Sequence, residues 1–211
     1  MKTAILHAIK QADIISVYRH VNPDHDALGS QWGLVMWLRQ RYPEKQVYAC
    51  GFHRTIKGIA YPEPDMVSDD TLAASTAIVL DSANQQRIDD QRYAIAKQII
   101  KIDHHPETDH YGDLFWVDPT KASTCEMITE LLMDEKPQPF DVQVAAYLLG
   151  GIMSDTIMFS IKNVSASTLK IASFLMESSV DINALNQKLY HMSLKDFEVI
   201  NYIRAKDTMV E

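Results

Sequence analysis

An α/β domain, with a mostly parallel β-sheet as the middle of three layers, is predicted from three observations. Short apolar runs of strand character recur at Ile14–Tyr18, Gln46–Ala49, Ala77–Leu80 and Ile99–Ile102. Segments of helical periodicity lie between or beyond them. Three of these runs lead into acidic or histidine side chains, and the carboxyl ends of parallel strands are where α/β sheets bind ligands.

Size and charge narrow the classes. A chain of 211 residues with 46% hydrophobic residues can bury one normal core. The formal charge of −8 argues against a coat for nucleic acid, so duplex DNA is not an expected partner. Cys50 and Cys125 are the only cysteines and lie far apart, which favours a reducing cytoplasm over a disulfide framework. Nowhere are there eighteen uninterrupted apolar residues, and no membrane association is expected.

Taken in order, Thr3 to Ala12 reads as a helix with Ile5, Ala8, Ile9 and Ala12 on one face and His7 solvated. The first strand delivers His20-Val21-Asn22-Pro23-Asp24-His25-Asp26, and a helix follows from about Ser30 to Arg41, stopped by Pro43. Gln46–Ala49 completes a βαβ unit. Residues 51–71, with Gly58, Pro62 and Pro64, are expected to be loops and a short helix, their His53, Arg54 and Lys57 solvated. The strand Ala77–Leu80 ends in Asp81. A helix is expected over Gln91–Gln98, and the strand Ile99–Ile102 ends in Asp103-His104-His105. Another extended piece ends at Asp118. Ser123-Thr124-Cys125-Glu126 fits a capping box opening a helix to about Asp134, with Cys125 structural. A helix restarts over Asp141–Gly150, and Gly150-Gly151 should allow close backbone approach, bringing up Asp155. Helices over Ser165–Ser178 and Asp181–Met192 complete a domain of residues 1–190.

A lone histidine or aspartate is most often a cap or a solvated group, and His7, His53, His110, His191, Asp109 and Asp118 are read so. His25 should alternate away from its neighbours. The set His20, Asp24, Asp26, Asp81, His104 and Asp155 is different, because each segment has a reason to arrive at one sheet edge. Four carboxylates in one cleft are electrically unfavourable unless compensated, and no basic partners lie near them in sequence. Two divalent cations about 3.5–4 Å apart, bridged by one carboxylate, would compensate them, and that arrangement serves phosphoryl transfer to water. Nitrogen and oxygen donors without sulfur suit Mn²⁺, Mg²⁺ or Fe²⁺.

His20-x-Asn22-Pro23-Asp24-x-Asp26, Ala27-x-Gly29-Ser30, Asp81, Asp103-His104-His105 and Gly151-x-x-x-Asp155-Thr156 together resemble the ordered motif set of the DHH phosphoesterases. The likeness runs from about residue 13 to 190. Within that family the chain most resembles the branch of bifunctional oligoribonucleases and 3′-phosphoadenosine-5′-phosphate phosphatases. The resemblance implies a parallel α/β N-terminal domain, a pair of manganese ions and phosphoester hydrolysis by water activated between them. It implies His20 and Asp24 on one metal, Asp26, His104 and Asp155 on the other, and Asp81 bridging. His105 would face the substrate phosphate, with Asp103 orienting the histidine pair. Implied substrates are short oligoribonucleotides, linear dinucleotides or adenosine 3′,5′-bisphosphate. The family's usual Gly-Arg after Asp-Thr is here Ile157-Met158. Residues 191–211 resemble a linker helix toward a C-terminal substrate-binding domain whose motif does not follow Glu211. Two other readings stay open: an inorganic pyrophosphatase or exopolyphosphatase of the same type, and a metal-bearing nucleotide-binding module without turnover. Oligomeric state, a homodimer included, is left open.

Overall fold

The apolar runs pair into one five-stranded sheet. In the computed structural model, which describes residues 1–54, 56–190, 197–199 and 202, the strands are β1 (Ile14–Tyr18), β2 (Gln46–Ala49), β3 (Thr76–Leu80), β4 (Gln98–Asp103) and β5 (Leu114–Val117). Their order is β2-β1-β3-β4-β5 and every pair is parallel, so the predicted mostly parallel sheet is parallel throughout. Alternation along each strand divides two cores. Ile15, Val17, Ile78, Leu80, Ile100 and Ile102 face the larger one, while Tyr18, Ala77 and Val79 face the smaller. The chain leaves β1 for β2 on one side and returns to β3 on the other, so the carboxyl ends of β1 and β3 flank a topological switch point.

Helices α1 (Lys2–Gln11), α2 (His25–Arg41), α4 (Thr124–Glu135), α5 (Val142–Asp155), α6 (Ala166–Met176) and α7 (Ile182–Tyr190) contribute to the larger core. The opposite face carries a thin layer of α3 (Asp69–Ala73) and 3₁₀ turns at Gln85–Arg87 and Gln91–Ile95. Among the described residues no helix is long and apolar enough to cross a membrane.

Several boundaries move for physical reasons. Helix α2 begins at His25, five residues before the expected Ser30. The Asp24 carboxylate caps it by accepting from the N–H groups of Asp26 and Ala27 at 3.0 Å each. The helix expected over Gln91–Gln98 is a 3₁₀ turn ending at Ile95, and Gln98 already belongs to β4. Helix α5 does not stop at Gly150 but runs to Asp155. Its glycines serve packing: a Cβ on Gly151 would lie 2.3 Å from Cys125 Sγ and 2.9 Å from the His25 carbonyl, and one on Gly150 would lie 2.3 Å from Ile59. Ser123 caps α4 as expected, but Glu126 reaches the N–H of Ala122 rather than that of Ser123, so the capping box is only half formed. The full box is at Ser165 and Thr168. The linker expected over residues 191–211 lies outside the described residues except at 197–199 and 202.

Immediately after Asp155 and Thr156 the chain makes a left-handed turn, with φ of 45°, 55° and 62° at Ile157, Met158 and Phe159. This conformation costs an L-residue roughly 1–2 kcal/mol, and β-branched isoleucine tolerates it poorly. The Ile157 side chain is exposed, so it recovers little by burial. Ile157→Gly should therefore raise stability by about 1 kcal/mol, read as a higher urea midpoint at unchanged slope.

Candidate metal centre

Each candidate side chain sits where a strand or helix ends. His20 follows β1 by two residues, Asp24 and Asp26 open α2, and Asp81 directly follows β3. Asp103 ends β4, with His104 and His105 next, and Asp155 is the last residue of α5. Asp81 adopts φ 53°, the left-handed region that aspartate visits more readily than most residues.

The eight residues converge. His20 Nε2 lies 3.7 Å from Asp24 Oδ2 and 3.4 Å from Asp81 Oδ2. His104 Nε2 lies 3.3 Å from Asp155 Oδ2, 3.6 Å from Asp81 Oδ1 and 3.8 Å from Asp26 Oδ2. Ligand atoms of His20, Asp24 and Asp81 fall within 4.8 Å of one another, as do those of Asp26, His104 and Asp155; Asp81, His104 and His105 form a third, overlapping set. The two oxygens of Asp81 thus face different neighbours, Oδ2 toward His20 and Oδ1 toward His104 and His105.

Outer contacts hold these groups in place. His20 Nδ1 donates to the Val21 carbonyl at 2.7 Å, which turns Nε2 to the cluster. The buried Asp26 carboxylate accepts from the N–H of Thr124 at 2.7 Å and of Cys125 at 2.8 Å, the first free donors of α4. Thr124 Oγ1 donates to Asp81 Oδ1 at 3.1 Å. Asp103 Oδ1 lies 2.9 Å from His105 Nδ1 and accepts from the His105 N–H at 3.2 Å, so the hydrogen bonds of the Asp103 carboxylate go to His105. His25 points away as expected, toward Tyr61 and the Lys57 carbonyl, but because it opens α2 and not because an extended chain alternates there. Asp118 is occupied by local bonds to Thr120, and Asp109 by bonds to Gln85 of the loop after β3.

Sequence reasoning missed the donors at the head of α4. Their signal was present, since a helix start leaves backbone N–H groups free, but the acceptor lies 98 residues away. It also missed Arg87, whose Nη2 lies 3.5 Å from His20 Nδ1 at the rim.

Among the described residues no lysine or arginine pairs with Asp24, Asp26, Asp81 or Asp155; histidines are their ion-pair partners. Burial, with Asp81 and Asp24 nearby, pushes Asp155 up to about 8. Burial and the charges of Asp155 and Asp81 push Asp26 well above the carboxylate range. Burial works against charge on His20, yet Asp24 and Asp81 raise it to about 10. Burial likewise works against charge on Asp24, but the His20 ring and the Ala27 N–H bring it down to about 2. His104 Nε2 is buried and makes no hydrogen bond although three carboxylates face it. Bare nitrogen amid surplus carboxylate oxygen, without sulfur donors, is a donor set that fits hard divalent cations.

The model of the DHH family, N-terminal domain, matches residues 14–152. The chain is 40% identical over 205 residues to the bifunctional oligoribonuclease and PAP phosphatase NrnA of Bacillus subtilis, covering 96% of this chain and 65% of that protein. It is 38% identical over 200 residues to the probable bifunctional oligoribonuclease and PAP phosphatase NrnA of Streptococcus mutans, covering 94% and 64%. The chain thus spans just under two thirds of these relatives. A crystal structure of an exopolyphosphatase-related protein from Bacteroides fragilis superposes with a TM-score of 0.82 at 21% identity, covering 97% of this chain and 64% of that one. With the family model spanning more than half of its length and its motifs gathered at one sheet edge, the chain belongs to the DHH family.

Proposed function

We propose that this protein is a metal-dependent phosphoesterase that hydrolyses short oligoribonucleotides, linear dinucleotides or adenosine 3′,5′-bisphosphate. The observation that carries the reading is the pair of ligand triads, His20-Asp24-Asp81 and Asp26-His104-Asp155, with Asp81 Oδ1 3.6 Å from His104 Nε2 and, among the described residues, no lysine or arginine paired with their carboxylates. The names of the relatives in Bacillus subtilis and Streptococcus mutans support the substrate class. His20, Asp24 and Asp81 would hold one cation, and Asp26, His104, Asp155 and Asp81 a second; we assign both as Mn²⁺. The chemistry such cations supply when bound is activation of water and neutralisation of phosphoryl charge.

The chain's own groups do the rest. Asp26 is fixed by the α4 N–H groups, so its oxygens are aimed before substrate arrives. The bond to Asp103 favours the charged form of His105 and engages Nδ1, which leaves Nε2 to donate to a phosphoryl oxygen as charge grows there. Both cysteines are free and buried, in keeping with a cytoplasmic location and with water as nucleophile. The fold of an exopolyphosphatase-related protein keeps a polyphosphate or pyrophosphate substrate as the second reading.

Assay of the purified chain with Mn²⁺ against adenosine 3′,5′-bisphosphate, a dinucleotide, a five-nucleotide RNA and pyrophosphate decides between these readings. Turnover of pyrophosphate alone would overturn the first, and nucleotide binding without hydrolysis would make the protein a binding module.

Three outcomes are expected. Asp81→Ala should lose both cations and activity, while His104→Ala should lose one cation with most of the activity, read by metal analysis beside the rate. His105→Ala should keep its Mn²⁺ and lose kcat by about 10²–10³-fold, the scale of one lost transition-state donor. The third concerns pH. Asp155, Asp26 and His20 hold their protons more tightly folded than unfolded, so their stabilisation is complete below the unfolded pKa and disappears as pH rises through the folded one. His25, held low by burial, opposes this only up to about pH 6.5. In chelator, Tm should fall between about pH 6.5 and 8, and Mn²⁺ should abolish the fall, as differential scanning fluorimetry can show.

A further inference from the structure

Lys101 is a charged side chain that the proposed chemistry does not use. It lies in the middle of β4 and is fully buried on the thin side of the sheet. Among the described residues it has no carboxylate partner at ion-pair distance. Instead Nζ donates to the carbonyls of Asp109 at 3.0 Å and Ala83 at 3.3 Å, and lies 4.4 Å from the centre of the Tyr111 ring. A buried ammonium without a carboxylate in direct contact is costly, and replacing it by an apolar side chain would ordinarily be the more stable solution. What the charge accomplishes is topological: it joins two ligand-bearing loops.

Ala83 is two residues beyond Asp81, and Asp109 is four residues beyond His105. Neighbouring bonds close the same seam. Tyr111 Oη donates to the Ser82 carbonyl at 2.7 Å, Thr108 Oγ1 donates to the Ala83 carbonyl at 3.2 Å, and the Gln85 N–H donates to Asp109 Oδ2 at 3.1 Å. The need for such anchoring lies at Asp81. Its left-handed backbone is a conformation that persists when surrounding contacts over-determine it, and the two carbonyls following it are both captured. Lys101 and Asp103, two apart on one strand, project to the same face, so a single strand carries the anchor and the group that orients His105.

We propose that Lys101 is a positioning residue of the metal centre, whose ammonium fixes the backbone after Asp81 against the loop after His105 and so aims the Asp81 carboxylate between its two ligand sets. The proposal rests on the reading of that cluster as a cation site. It is tested by Mn²⁺ titration of the full chain, by calorimetry and by the electron paramagnetic resonance signal of free Mn²⁺. Lys101→Met keeps the length of the side chain and removes its donors; its dissociation constant for Mn²⁺ should rise about ten- to a hundredfold, the usual effect of losing an outer-shell partner. Tyr111→Phe keeps the ring, removes the bond to Ser82 and should weaken binding in the same direction by less, which keeps the test open if Lys101→Met does not fold. Ile100→Val, on the opposite face of the same strand, should lower Tm and leave Mn²⁺ affinity unchanged. Wild-type affinity in both Lys101→Met and Tyr111→Phe, or equal weakening in Ile100→Val, would overturn the positioning role while the metal reading stands. Absence of Mn²⁺ binding by the wild-type chain would overturn both.

Discussion

The seating of the Asp26 carboxylate on the head of α4 is the contact on which the rest of the site depends. It brings the first turn of α2 against the first turn of α4, and α5 must then pass close enough to deliver Asp155. That close passage needs helices without side chains at the crossings. A Cβ on Gly29 would lie 2.5 Å from the Tyr147 carbonyl, and one on Gly33 would lie 2.7 Å from Leu148. Gly151 has no room either, facing Cys125 Sγ and the backbone of His25 and Asp26. Three helices thus interlock around one buried carboxylate, and the Cys125 thiol, donating to the Asp26 carbonyl at 3.4 Å, fills the remaining space. Packing and polar satisfaction are here one constraint.

Electrostatics sets the second requirement. A buried carboxylate beside two others cannot stay ionised unless protons or cations offset it. Among the described residues Asp26 keeps two backbone donors but pairs with no lysine or arginine, and Asp155 pairs with a histidine alone. In the function proposed above that offset comes from exchangeable cations, where a structural network would have used fixed basic side chains. The contrast is visible in the same molecule. Buried Arg19, directly after β1 at the same end of the sheet, is paired with buried Asp89 by a fixed basic side chain.

The sheet order explains why the cluster lies where it does. At the switch between β1 and β3 the two connections diverge, which opens a crevice at the carboxyl end of adjacent strands. His20 and Asp81 stand on its two sides, 3.4 Å apart at their nearest atoms. β4 continues the row with Asp103, His104 and His105. The thin layer on the opposite face leaves the loops after β3 and β4 to be held by their own hydrogen bonds, and Lys101 and Tyr111 supply them.

The sequence by itself determined the strands and the chemical class of the site. Ile14–Tyr18 was legible to the residue because a central strand of a parallel sheet is buried on both faces, and Gln46–Ala49 because an edge strand alternates exposed with buried positions. The convergence of the six candidate residues was legible because each stands at the end of an apolar run, and the carboxyl ends of parallel strands meet at one edge of the sheet. Tertiary structure alone decided the rest. Asp24-His25-Asp26 looks like a polar turn, yet it is the cap and first turn of α2, since a carboxylate satisfies free helix donors. Gly150-Gly151 looks like a break, yet α5 continues through it because the space for a side chain is already taken. Lys101 looks like the solvated position of a strand, yet it is fully buried, held by carbonyls that neither periodicity nor composition could bring within its reach. Local pattern reports which atoms prefer water and which backbone geometry is cheap. Which distant donor meets which acceptor is settled only when the layers close.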